Sequence, residues 1–166
     1  MTQTVQYALL AILSALSASA APPTLCLANE VNVFSCGAGK KVISVCASKD
    51  AAADRGYLQY RFGTPKSVEL AVPAGKSTPP AKSALAGNLV FSGGGGAYLR
   101  FRNGDYEYIV YTAIGKGWGA KDGVAIEQNG KRRGHVACTD VPDSMMGPDY
   151  FSKAGLSDDK GDFDLP

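Results

Sequence analysis

Apolar and polar residues alternate with a period of two along much of this chain, and no other feature constrains the fold as strongly. The alternation is typical of β-strands, because successive side chains of a strand point to opposite faces of its sheet. Glycine and proline clusters separate the alternating segments at regular intervals and favour antiparallel pairing over βαβ units. The sequence therefore predicts an all-β fold, an antiparallel β-sandwich or barrel, with its first strands at residues 31–36, 41–46, 57–62 and 68–72.

The dipeptide Asn103-Gly104 predicts a two-residue hairpin turn, because both residues tolerate positive φ angles. In the resulting register Arg102 lies opposite Asp105 and Arg100 lies opposite Glu107, so opposite charges share one face of the sheet. The other face collects the apolar residues of the hairpin, which are Leu99, Phe101, Tyr106, Tyr108 and Val110. A slip of one residue would destroy this agreement.

A second dipeptide of this kind, Asn129-Gly130, places Glu127 opposite Arg132. Charged and apolar residues mix along its second strand, which indicates a strand at the edge of a sheet. Helix signals are sparse, and they predict one short C-terminal helix at residues 148–154 with Gly155 as its C-cap. Residues 75–87 are predicted to form an exposed loop.

Residues 1–20 carry no charged side chain and end in small residues, as a secretory signal peptide does. Serines interrupt the apolar run, so it is too short for a membrane span, and no integral membrane segment is expected after processing. One β domain is predicted at residues 21–156, and an acidic, disordered tail at residues 157–166. The expected location is therefore the periplasm or the exterior of the cell.

The net charge of the whole chain is +2, of which the last ten residues contribute −3. The positive charge of the remainder is spread over many strands, apart from the run 131–133. This distribution favours a solvated surface over a nucleic-acid interface, so no nucleic-acid partner is expected.

Four cysteines lie in the exported part, and an even number in an oxidising compartment predicts two disulfides. Three connectivities are open, of which Cys46 with Cys138 and Cys26 with Cys36 is favoured, because a long closed loop restricts the unfolded chain most. Without a C-x-x-C pair, no metal site is expected. Lipidation at Cys26 is the less favoured alternative, since the residues before this cysteine are not small.

Four consecutive glycines at residues 93–96 are the most unusual stretch, because each costs conformational entropy on folding. One interpretation is a loop whose backbone approaches a partner closely, with Ser92, Gly93, Tyr98 and Arg100 as candidate binding residues. The alternative is a wide bulge or a sharp corner between strands.

A second glycine-rich loop, residues 115–121, carries the only tryptophan of the chain. Trp118 between glycines is typical of a binding hot spot, and Lys116 and Lys121 suit an acidic or carbohydrate partner. The alternative is a tryptophan that folds back to plug one end of a barrel.

The sequence does not favour an enzyme. His135 is the only histidine and has no nucleophile context, and the three glutamates of the strands, Glu69, Glu107 and Glu127, form no convincing acid and base pair. No catalytic residue and no cofactor is therefore expected.

The segments FSC (34–36), SVCAS (44–48), GYLQYRFG (56–63), the stretch 92–101 and YTAIG (111–115) together resemble a family of exported proteobacterial proteins without assigned function. The stretch from Ser92 to Tyr98 is also similar, more weakly, to the Ser-Gly…Tyr loop of periplasmic lysozyme inhibitors. This likeness implies that Ser92, Gly93 and Tyr98 enter a lysozyme cleft, with Lys116 as the basic residue.

The sequence thus predicts an exported binding protein that acts through two glycine-rich loops. A lysozyme or another cell-wall hydrolase is the leading partner. A carbohydrate-binding or purely structural module of the cell envelope is the alternative.

Overall fold

The computed structural model describes residues 22–166, so the predicted signal peptide at residues 1–20 lies outside the described part. Two sheets form a β-sandwich, which confirms the all-β prediction and selects the sandwich over the barrel. Two short helices are α1 (Pro80–Ser83) and α2 (Pro148–Ala154). The strands, β1 to β11 in chain order, are Glu30–Ala38, Lys41–Ser48, Leu58–Thr64, Ser67–Val72, Ala84–Phe91, Gly94–Asn103, Tyr106–Gly115, Gly119–Gln128, Lys131–Ala137, Asp143–Ser144 and Ser157–Asp158.

One sheet has the strand order β10-β1-β2-β3-β4, and the other has the order β11-β5-β6-β7-β8-β9. Neighbouring strands are antiparallel except for β11, which pairs in parallel with β5. Strands β1 to β4 are the four predicted ones, with ends that differ by no more than two residues. Alternation with a period of two therefore located these strands correctly.

The core lies between the two sheets and is built from their facing side chains. Tyr60 of β3 packs against Phe101 and Tyr108 of the other sheet, with ring centroids 6.0 and 5.4 Å apart. The fully buried members also include Ile43, Val45, Leu58, Leu99 and Val110. Burial of such side chains stabilises a fold by about 1.5–3 kcal/mol each.

The hairpin of β6 and β7 keeps the predicted faces but not the predicted register. Asn103 pairs with Tyr106, so Gly104 and Asp105 occupy the turn and Gly104 alone takes a positive φ, of 59°. The predicted cross-strand register of Arg102 with Asp105 and of Arg100 with Glu107 is therefore wrong, although the side chains of Arg100 and Glu107 still form an ion pair (2.7 Å). Each partner moves by two residues, which preserves the side of the sheet.

The second turn, Asn129-Gly130, is confirmed, with φ angles of 51° and 71°. Glu127 lies opposite Arg132 as predicted, and β9 is an edge strand. A bulge between Ile126 and Glu127 shifts the rest of the register, which explains why charged and apolar residues mix in this strand.

Two disulfides are present, but they join Cys26 to Cys46 and Cys36 to Cys138, so the favoured pairing is wrong. Cys36 belongs to the core cluster between the sheets, whereas Cys46 lies on the opposite face of its own sheet. A cysteine on the outer face can meet only the segment that covers this face, and that segment contains Cys26. The main chain after β9 runs beside β1, where the Thr139 N–H donates to the Gly37 carbonyl oxygen (2.8 Å), which brings Cys138 to Cys36.

The predicted helix is confirmed as α2, and Gly155 caps it in the left-handed conformation with φ 64°. Residues 75–87 are not only a loop, because they contain α1 and the start of β5. None of the helices among residues 22–166 has the length and apolar character that a membrane crossing requires.

The C-terminal segment, residues 157–166, differs from the expected disordered tail. It adds β11 to the edge of the six-stranded sheet and lays Phe163, with 9% of its surface exposed, on the outer face of that sheet. Buried contacts of one aromatic and one aspartate offset the ordering cost of an otherwise acidic segment. We call residues 157–166 the tail.

Candidate functional site

The two glycine-rich turns meet at one end of the six-stranded sheet. Residues 92–93 connect β5 to β6, and residues 116–118 connect β7 to β8. The Lys116 N–H donates to the Gly93 carbonyl oxygen (2.9 Å), and Gly94 pairs with Gly115 directly below the turns. We call these two turns, with the strand ends beside them, the loop end.

The glycine run is explained by the neighbouring strand. A side chain at Gly94 would lie 2.1 Å from the Ile114 carbonyl oxygen, and one at Gly96 would lie 2.3 Å from the Thr112 carbonyl oxygen. Gly93 has a φ of 76°, which other residues rarely adopt. The run is therefore not a bulge: Gly93 lies in the sharp turn between β5 and β6, and the other three glycines belong to β6, where two of them permit a close approach of β7.

Trp118 is half packed and half exposed. Its ring lies over Gly115, where a Cβ atom would approach the ring to 2.2 Å, and its centroid is 5.4 Å from that of Phe91. The Lys121 ammonium lies 5.5 Å from the ring centroid, and 40% of the residue remains exposed. Trp118 thus covers the outer side of the sheet end and does not plug the interior.

The other face of the loop end is apolar and exposed. Val90, Gly95 and Ile114 form one row across β5, β6 and β7, and 89% of Val90 and 66% of Ile114 are exposed. A cavity of about 270 Å³ adjoins this row, with Met146 on its wall. Exposed apolar residues in a contiguous row are typical of a surface that contacts another molecule.

The charge of the loop end is wholly positive. Residues 70–104 and 108–121 contain no aspartate or glutamate, whereas Lys116 and Lys121 lie in or beside the second turn. Lys116, Ser92 and Gly93 are exposed. A cationic tip between apolar surfaces fits a partner whose complementary site is acidic.

The structure does not bring Tyr98 and Arg100 to the loop end. Both belong to β6 on the outer face of the sheet, where 4% of each residue is exposed beneath the tail. Burial, followed by the neighbouring Asp159 carboxylate, raises the pKa of Tyr98 to about 12. Of the six candidate binding residues, the loop end therefore contains Ser92, Gly93, Lys116 and Trp118.

A cavity of about 510 Å³ lies elsewhere, beside the segment that follows β9. His135 and Lys121 line it together with Asp122 and Asp140. The Thr112 hydroxyl donates to Asp122 (2.6 Å), and the Gly37 N–H donates to Asp140 (2.8 Å), so both carboxylates are engaged in the fold. Burial raises the pKa of Asp122.

Within the described range, one group of potential metal ligands converges, formed by Cys26, Glu30 and Cys46. Both cysteines are joined in a disulfide, so neither offers a thiolate. The Glu30 carboxylate is already held by Arg61. These three side chains therefore do not constitute a metal centre.

Comparison with protein-family models, with curated proteins and with solved structures finds no match. The class of this protein is therefore defined by its own fold and site, a disulfide-linked β-sandwich with a cationic, partly apolar loop end.

Proposed function

We propose that this protein is an exported binding protein whose loop end docks on the acidic site of a cell-wall hydrolase, such as a lysozyme. One observation carries the proposal: the Ser92 turn and the Lys116 turn are hydrogen-bonded neighbours at an exposed, acid-free end of the sheet. A hydroxyl donor and an ammonium group are thereby available to a single partner site.

The chemistry of such a partner supports the pairing. Glycoside hydrolases use two carboxyl groups that flank the scissile bond. A lysine and a serine hydroxyl can both donate to carboxylates, and bonds to charged groups are the stronger ones. Binding of Lys116 and Ser92 to these carboxyl groups would exclude the substrate.

Export is supported by the cysteines and by the segment at residues 1–20. Disulfides persist in oxidising compartments and are rare in the reducing cytosol. Two disulfides account for all four cysteines of the chain. The resemblance to exported proteobacterial proteins is part of the same proposal.

Inhibition assays against lysozymes of several classes test the proposed function. We expect the wild type to inhibit at least one class, and Ser92→Ala and Lys116→Ala to weaken this inhibition by about tenfold each, the effect of losing one good polar contact. Lys40→Ala is the matched control, because Lys40 is an exposed turn lysine of the other sheet. Absence of inhibition in every class, or an equal loss in the Lys40 variant, would contradict the proposal.

A glycan-binding role in the cell envelope is the second candidate, and the exposed part of Trp118 favours it. The contacts of this ring with Gly115, Phe91 and Lys121 leave less of it for a sugar, which is why we place this role second. Retention on peptidoglycan that is lost in Trp118→Ala but kept in Lys116→Ala would select it.

A further inference from the structure

The tail binds to the outer face and the edge of the six-stranded sheet in the way that an extended peptide ligand binds to a protein. Residues Ser157 and Asp158 add a parallel strand to the edge strand β5, and the Asp159 N–H donates to the Ala86 carbonyl oxygen (2.7 Å). Addition of an extended segment to a free sheet edge is a common mode of peptide recognition. The side chains that receive the tail, which we call the tail groove, are Tyr98, Arg100, Tyr111, Lys121 and Arg132.

One carboxylate of the tail, that of Asp159, is bound by an ion pair and a hydrogen bond. The Arg100 guanidinium donates to the Asp159 carboxylate (2.7 Å) and the Tyr98 hydroxyl donates to the same group (3.1 Å). The exposed fractions of the Arg100 and Asp159 side chains are 4% and 3%. By contrast, Asp158, Asp162 and Asp164 are exposed, so only one of the four aspartates is recognised through its side chain.

One aromatic side chain of the tail, that of Phe163, is bound by packing against aromatic rings. The Phe163 ring lies between Tyr98 and Tyr111, with centroid distances of 4.9 and 5.8 Å, and the Arg132 guanidinium lies 5.4 Å from its centroid. Tilted aromatic pairs and a cation over the ring each add to the apolar burial. Phe163, which we call the aromatic anchor, follows Asp159 by four residues.

The remaining contacts are to the main chain. Arg100 donates to the Asp162 carbonyl oxygen (3.1 Å), Arg132 to that of Asp164 (2.7 Å), and Lys121 to that of Pro166 (2.5 Å). Such bonds hold an extended segment without reading its other side chains. A different peptide with the same two anchors could form them equally well.

We propose that the tail groove is a binding site for extended acidic peptides with the spacing Asp-x-x-x-Phe, and that the tail is its intramolecular ligand. Charge favours such a ligand: Arg100, Arg102, Arg132 and Lys121 are balanced on this face by only Glu107 and Glu127 when the tail is absent. A segment of a partner protein therefore binds by displacing the tail. The tail groove shares Lys121 with the loop end but contains none of Ser92, Gly93, Lys116 and Trp118, and the inference does not depend on the proposed function.

Competition with the tethered tail sets the expected affinity. A ligand joined by a short linker acts at an effective concentration in the millimolar range, so the wild type binds a free peptide weakly. Weakening the tail in the full-length chain removes this competition. The variants Phe163→Ala and Asp159→Asn do so by two independent contacts.

The test measures anisotropy of a labelled peptide with the sequence of residues 157–166. We expect both variants to bind it at least about tenfold more tightly than the wild type does. A peptide with Asn and Ala in place of its two anchors should not bind. Failure of both folded variants to bind the native peptide would overturn the proposal.

A matched pair of neighbouring arginines locates the site. In the Phe163→Ala background, Arg132→Ala should weaken binding of the labelled peptide by about tenfold. The variant loses the contacts of Arg132 with the carbonyl oxygen that corresponds to Asp164 and with the aromatic anchor that corresponds to Phe163. Arg133→Ala should leave the affinity unchanged, because Arg133 makes neither contact. Equal losses would overturn the assignment. A wild-type dimer abolished by Phe163→Ala would also overturn it, in favour of tail exchange between two copies.

Discussion

A segment outside the main strands covers the outer face of each sheet, and each segment closes over a buried arginine, yet the two are held differently. On the five-stranded sheet this segment is residues 22–29, which we call the first segment, and on the six-stranded sheet it is the tail. On the five-stranded sheet, Arg61 donates to both oxygens of Glu30 (2.6 and 2.7 Å) and to the Leu25 carbonyl oxygen (2.9 Å). There the Cys26–Cys46 disulfide fixes the segment covalently. On the six-stranded sheet, the tail closes over Arg100 through noncovalent contacts alone.

The charge around the two arginines also differs. Arg61 has one carboxylate partner, Glu30, which also accepts from Lys76 (2.8 Å) and from the Tyr57 hydroxyl. Arg100 has three, because Glu107 and Glu127 of its own sheet remain when the tail leaves. The comparison teaches that each arginine keeps a carboxylate of its own sheet when its segment opens, Glu30 for Arg61 and Glu107 with Glu127 for Arg100. The disulfide is therefore what distinguishes the two segments.

Glu30→Gln should produce the largest effect, because it leaves the Arg61 guanidinium buried without a carboxylate. Breaking a buried pair in this way costs about 3–5 kcal/mol of unfolding free energy, measured by urea denaturation. Glu69→Gln is the matched control, since its pair with Lys41 is exposed and should contribute about 1 kcal/mol or less. Equal losses in the two variants would show that the Arg61 pair has no special importance.

Removal of the Cys26–Cys46 disulfide should leave the first segment held by noncovalent contacts alone, as the tail is. A cross-link over 20 residues stabilises by about 3 kcal/mol in the chain-entropy model. In Cys26→Ser/Cys46→Ser the Leu25 N–H, which donates to the Ser44 hydroxyl (2.9 Å), should lose its protection from hydrogen exchange. Unchanged protection at this amide would mean that noncovalent contacts, such as the hydrogen bond from Arg61 to the Leu25 carbonyl oxygen and that from the Leu27 N–H to Glu30, hold the segment without the disulfide.

Asp159→Asn should cost less than Glu30→Gln, about 1–2 kcal/mol, because Arg100 retains two carboxylates. We expect the loss to appear first as local opening, with faster amide exchange in residues 157–163 and unchanged exchange in β6. A loss as large as that of Glu30→Gln would remove the distinction between the two faces.

The sequence predicted which face of a sheet a residue occupies better than it predicted which residues pair with one another. In the β6–β7 hairpin the charged and apolar faces are as predicted although the register is not, because a shift of two residues conserves the side of the sheet. The disulfide pairing was wrong for a related reason. It depends on which face of the sheet each cysteine occupies, and loop length carries no information about this.

Half of the candidate site was predictable. The turns at residues 92–93 and 116–118 follow from glycine and turn signals, and they are neighbours because the β6–β7 hairpin pairs Gly94 with Gly115. The exposed row across β5, β6 and β7 was not predicted, because residues 84–91 do not alternate in polarity. The tail was missed because its acidic composition indicates disorder. Phe163 and Leu165 are the only apolar residues that signal a packed segment there, apart from Pro166.

The smallest effect should be a dependence of stability on pH that the two faces share. Burial raises the pKa of Glu30, but the hydrogen bonds from Arg61, Lys76 and Tyr57 outweigh it, so the pKa in the folded protein is lowered. Likewise, burial raises the pKa of Asp159, and the hydrogen bond from Arg100 outweighs it. A carboxyl group with a lowered folded pKa stabilises the fold above its unfolded pKa, about 4, and this stability is lost as the pH falls toward the folded pKa. Urea midpoints at pH 7, 5 and 3 should therefore fall most between pH 5 and 3, and should fall less in Glu30→Gln and in Asp159→Asn. Hydrogen exchange at pH 3 would show which segment opens first. If the first segment exchanged rapidly while the tail stayed protected, the disulfide would not be what distinguishes the two faces.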